Sequence, residues 1–148
     1  MSGLRKQAAI AACTLYFICG QDALRAQTPA PARVGPDSIQ IIGVTLVPVG
    51  GRGRIAVGVG NRTDELLWLR ITVEAGQPVL CEGERLPLRG MKIEWFTCAV
   101  ASIVAGRAYP VRVEVFRDEW DEESSGVQQV RPVFTIRDVQ GIEPRLKP

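Results

Sequence analysis

The chain has 148 residues, 18 basic against 16 acidic, with no histidine and four cysteines. A composition of 46% hydrophobic and 23% charged residues is that of one ordinary globular domain, neither disordered nor membrane-embedded throughout. The missing histidine excludes Ser-His-Asp and Cys-His nucleophile pairs, histidine-bearing metal sites and the usual neutral-pH proton shuttle.

Residues 1–26 read as a secretory signal peptide. Arg5 and Lys6 give a positive start, and residues 8–20 form an uncharged apolar run. That run is shorter than the ~20 residues a membrane span needs and falls within the ~7–15 of a signal core. Cleavage is expected after Ala26. Cys13 follows Ile10-Ala11-Ala12 as in a lipidated cysteine, but only residues 8–12 would remain as an apolar core, so lipidation is set aside. From 18 basic and 16 acidic residues, loss of Arg5, Lys6, Arg25 and Asp22 leaves 15 of each. A neutral mature chain argues against nucleic acid as a bulk partner. Cys81 and Cys98 remain after cleavage, an even count in an exported protein, and a disulfide between them is expected.

Residues 27–37 carry Pro29, Pro31 and Pro36 and read as a semi-extended linker. A domain is expected over 38–138, with 139–148 as a tail. Its first strand is predicted over Ile39–Val49, ending at Gly50-Gly51-Arg52-Gly53. That glycine-rich turn lacks the spacing of a nucleotide loop and reads as a hairpin. Ile55, Val57 and Val59 alternate next, up to Asn61-Arg62-Thr63, which matches a glycosylation acceptor by pattern. Leu67, Leu69, Ile71 and Val73 give the clearest period-two pattern, with Trp68 on the opposite face. A short edge strand is predicted over 79–81. Met91, Ile93 and Trp95 alternate into Cys98, with one of Trp95 and Phe96 facing the core. Tyr109, Val111, Val113 and Val115 follow, and a last strand is predicted over 127–137. Seven strands with turns between, and no helix beyond the signal, predict an all-β fold: a single antiparallel β-sandwich.

The segment Ile103-x-x-Gly106-x-x-Tyr109-x-Val111-x-Val113 resembles the entry to the sixth strand of fibronectin type III and immunoglobulin-like domains. The resemblance implies that sandwich architecture, and a corner role for Tyr109, whose hydroxyl bonds upstream backbone in those families. The chain departs from antibody-type domains, because Cys81 and Cys98 lie too close to join the second and sixth strands. Such a sandwich hosts many functions, so the resemblance implies architecture only.

The most unusual local feature is Asp118-Glu119-Trp120-Asp121-Glu122-Glu123, expected at the tip of the last hairpin. Trp120 either folds back on the sheet or anchors a partner. The mature serines, Ser38, Ser102, Ser124 and Ser125, stand in no nucleophile motif, so the chain is expected not to be an enzyme and to use no cofactor. The first expectation is a binding module of the bacterial envelope, periplasmic or secreted. It would engage another protein through the acidic loop and an exposed sheet edge, the Cys81 strand or the first strand. A carbohydrate-binding module using Trp68 and Trp120 is the alternative. A calcium-dependent adhesion-like domain, with the acidic run as ligand, is the remote one.

Overall fold

The computed structural model describes residues 33–49 and 52–140. The predicted signal peptide, linker residues 27–32, the Gly50-Gly51 turn and residues 141–148 lie outside them.

Two antiparallel sheets pack together as a β-sandwich, with eight strands rather than the expected seven. One sheet has the order β1 (Ile39–Val49), β2 (Arg52–Asn61), β6 (Ile93–Cys98). In the other, β3 (Leu67–Glu74) pairs with β7 (Val111–Phe116), which pairs with β8 (Gly126–Val130). On its far side β3 pairs with both β4 (Pro78–Leu80) and β5 (Leu86–Leu88). The first, second and sixth strands thus form one sheet, and the third, fourth, fifth, seventh and eighth form the other.

The three differences from the sequence expectation have local causes. β5 is only Leu-Pro-Leu, so it offers two apolar positions and a proline, which weakens any strand pattern. The last strand stops at Val130 rather than 137, because Pro132 cannot donate to a ladder. Beyond it Ile136–Gln140 forms α1, where no helix was expected. The Asp138 carboxylate accepts hydrogen bonds from the Thr135 N–H at 2.7 Å and hydroxyl at 2.8 Å, which starts that helix.

Alternation puts Ile55, Val57, Val59, Leu67, Leu69, Ile71, Val73, Val111, Val113 and Val115 in the shared core, all fully buried. Each such side chain contributes ~1.5–3 kcal/mol relative to exposure. Phe96 is the core member of its pair, and Trp95 faces outward, half exposed. Its indole lies across Gly58 towards Gly43, and a Cβ on Gly58 would meet the ring at 2.9 Å. Tyr109 is fully buried, and its hydroxyl accepts the Val104 N–H at 2.8 Å. Gly106, at φ +79°, makes the turn between them, a backbone state that favours glycine.

Asn61, a buried polar residue at the end of β2, donates to the carbonyls of Glu65 at 2.8 Å and Leu88 at 3.0 Å. It accepts from the N–H and hydroxyl of Thr63, each at 2.8 Å. Both amide hydrogens are in use, so the acceptor pattern at 61–63 is closed in the folded domain.

The lateral edges are closed by side chains at three places. The Cys81–Cys98 disulfide ties the residue after β4 to the end of β6, across the sheets. Closing a separation of 17 contributes about 3 kcal/mol by restricting the unfolded chain. Beside it, Glu82 takes a left-handed backbone (φ 54°), and its carboxylate accepts the N–H and hydroxyl of Thr97 on the edge of β6. On the opposite side Gln128 of β8 donates to the carbonyls of Pro36 and Ile39, at 2.8 and 2.7 Å, and accepts from the Ile41 N–H at 3.2 Å. Pro36 is seated against Gly126 of β8.

Candidate functional site

The acidic run occupies the loop between β7 and β8, as the sequence implied. Short-range bonds shape it. The Asp118 carboxylate accepts the Trp120 N–H at 3.1 Å, and the Asp121 carboxylate accepts the Asp118 N–H at 3.0 Å. Asp and Asn favour such turns because their oxygens reach backbone two or three residues away. The loop is anchored below by the Ser125 N–H, which donates to Val115 at 2.7 Å.

Trp120 stands at the tip and is 83% exposed, the most exposed large apolar side chain among the described residues. Glu122 and Glu123 are exposed beside it, and Glu119 is half-buried. Two of the five carboxylates therefore face the loop's own N–H groups. Among the described residues no group of three or more acidic or cysteine side chains converges to hold a metal ion.

A cleft of about 610 Å³ lies under the loop, lined by Arg70, Glu84 and Arg85 as well as Glu119, Trp120, Asp121 and Glu122. Arg85, at the entry to β5, is its main support. One guanidinium nitrogen donates to the Asp121 carbonyl at 2.9 Å and the other to Glu84 at 3.0 Å. The guanidinium carbon sits 3.7 Å above the centroid of Phe116, close enough for a cation–aromatic attraction of ~0.5–2 kcal/mol. Phe116 lies on the outer face of its sheet, opposite Trp68 in register, yet is only 1% exposed, with Arg85 laid over its ring. Arg70 approaches the same ring at 5.5 Å and pairs with Glu114 at 3.7 Å.

Trp68 does face away from the core, as its alternation implied, but it is half-buried between Pro87 of β5 and Phe116 of β7. The structure thus brings Asp118, Glu119, Trp120, Asp121, Glu122 and Glu123 together on one loop and places Trp68 on the sheet behind it. Cys81, Cys98 and Tyr109 lie in the core and serve the frame. Sequence reasoning passed over Arg85, Arg70 and Glu84. No signal marked Arg85, because the Leu86-Pro87-Leu88 strand after it is too short to carry a pattern.

The Asp138 carboxyl is held below the ordinary carboxylate range by the Thr135 N–H and then its hydroxyl. It belongs to the cap of α1, away from the acidic loop. No helix among the described residues is long and apolar enough to cross a membrane. No protein-family profile matches the chain, and no curated protein matches its sequence.

Proposed function

We propose that the chain is a non-catalytic, exported β-sandwich module that engages another protein in the bacterial cell envelope, with Trp120 and the loop 117–125 at the centre of the contact. The observation that carries this reading is the exposed indole on a loop fixed by its own aspartates and by Arg85. An aromatic anchor on a preordered loop loses little conformational entropy on binding, and interface hot spots are rich in tryptophan. The exposed carboxylates of Glu122 and Glu123 beside it favour a partner with a basic surface. Export is supported by the signal-like residues 1–26, and the Cys81–Cys98 disulfide suits an oxidising compartment.

The test is a photo-crosslinking residue in place of Trp120 in the native host, with adducts identified by mass spectrometry. A single protein adduct, lost on Glu122→Gln plus Glu123→Gln, is the expected result. A folded, exported protein that yields no adduct overturns the reading. A glycan adduct moves the assignment to the carbohydrate-binding alternative.

A further inference from the structure

We infer that the second half of β1 is a receptor edge for a linear, extended peptide supplied by another protein, which adds as a strand in a slot beside α1. The inference deepens the proposed reading as a protein-binding module but uses a surface distinct from the Trp120 loop.

β1 runs for 11 residues along the edge of its sheet, whereas β8, the edge of the other sheet on that side, runs for 5. The two meet only at the start of β1, where Gln128 takes the outward groups of Ile39 and Ile41. Pro132 interrupts the ladder of β8, but the chain runs on beside β7, with the Tyr109 N–H on the Pro132 carbonyl at 2.9 Å and a bridge of Val133 to Ala108. From Gly43 to Val49 β1 keeps its ladder with β2, but its outer edge has no hydrogen-bond partner among the described residues.

The nitrogen of Pro48 must face away from β2, since proline cannot donate to a ladder. Alternation then turns the N–H and C=O groups of Val44 and Leu46 to the same open side. Exposed edges are normally blocked by charges. Ile39–Val49 contains none, and only the bulge near Ile42 and Pro48 at the far end interrupt it.

Beside this edge is a slot of about 410 Å³. Val44, Thr45 and Leu46 form one wall, and Val133, Phe134 and Arg137 form the other. The walls decide the occupant. A strand already embedded in a folded sheet needs its second edge free for its own neighbour, and here residues 133–137 stand in that place. A peptide without a sheet of its own meets both walls, bonding β1 through its backbone and setting alternate apolar side chains against Leu46 and Phe134. Asp138 is committed to Thr135, which leaves Arg137 as the cation lining the slot and favours an acidic residue at one end of the peptide.

The test uses the full exported chain with its disulfide intact, and a displayed library of random nine-residue peptides as the probe. Peptides enriched on the wild type should alternate apolar residues and slow amide exchange at Val44 and Leu46. Thr45→Lys, which adds a blocking charge at an exposed position, should weaken them at least tenfold. Leu46→Pro, which removes an outward N–H, should do the same where it folds, while Trp120→Ala should leave binding unchanged. Enriched peptides that ignore Thr45→Lys, or no enrichment at all, overturn the inference. Loss of peptide binding in Trp120→Ala moves the site to the acidic loop, which overturns this inference while leaving the proposed function standing. A concentration-dependent dimer abolished by Thr45→Lys assigns the edge to a second copy instead and also overturns it.

Discussion

Asn61→Asp tests how the end of β2 is held. The replacement keeps the side chain's size and the oxygen that accepts from Thr63, but it turns the nitrogen that donates to Glu65 and Leu88 into a second oxygen. Two hydrogen bonds are lost at ~1 kcal/mol each, and a buried carbonyl left unmet adds ~1–3 kcal/mol. The loss at neutral pH is therefore about 3–5 kcal/mol, which for a domain of this size lowers Tm by ~12–20 °C. Burial and the two facing carbonyls raise the folded-state pKa of the introduced carboxyl above its unfolded value of ~4. The penalty is then complete above the folded pKa and shrinks as pH falls through it, because the protonated acid donates to one of the carbonyls. Thermal unfolding by circular dichroism, at neutral pH and near pH 4 with wild type alongside, should show the gap narrowing in acid. A neutral-pH loss below about 1 kcal/mol, or a gap that widens in acid, refutes the reasoning.

Three further outcomes follow from the frame. Tyr109→Phe removes the bond to Val104 while keeping the ring, and should destabilise by about 1 kcal/mol in denaturant unfolding; no measurable change would deny the hydroxyl its corner role. Gly58→Ala puts a methyl within 2.9 Å of the Trp95 ring and 2.8 Å of Ile42, so the exposed indole should swing out. Tryptophan emission should shift to longer wavelength at a stability loss of ~1–3 kcal/mol, and an unaltered spectrum counts against the glycine bed. The Asp138 carboxyl, lowered by its bonds to Thr135, should titrate by NMR below the ordinary aspartate value. Because its folded pKa is depressed, the cap is complete above the unfolded value, and α1 should fray as pH falls through the folded one. A normal midpoint would refute that cap.

The sandwich was legible wherever burial on one face enforces alternation. β3 reads buried and half-buried in turn along nearly its whole length, and β7 is nearly as regular. What escaped were elements whose position depends on partners. β5 has too few residues to carry a pattern and exists because Leu86 and Leu88 meet Leu69 and Leu67 across the ladder. α1 did leave a signal, Thr135 followed three residues later by Asp138, but Val133, Phe134 and Ile136 read as a continuing strand. At the candidate site, the acidic loop and Trp120 were visible in the sequence because charge density and an isolated indole are local features. The cover over Phe116 was not, since it joins Arg85, Phe116 and Asp121 from separate segments. Gln128 was equally silent, a polar residue in a strand whose three bonds arise only when the two sheet edges meet.

The contrast between Phe116 and Trp120 bears directly on function. Both are large aromatics at the same end of β7, but one is 1% exposed beneath Arg85 and the other 83% exposed. Phe116→Ala removes a filled volume and should cost ~3–5 kcal/mol. A fully buried tryptophan covers some 150–250 Å², so the fraction of Trp120 in contact with the fold, at ~25 cal/mol/Å², contributes at most about 1 kcal/mol. Trp120→Ala should therefore leave thermal unfolding nearly unchanged while removing partner capture by the loop. If it destabilises as much as Phe116→Ala, the indole packs on the sheet in solution and the proposed contact loses its anchor. If it is neutral, the fold does not depend on the indole, which leaves the exposed ring free to serve the proposed contact.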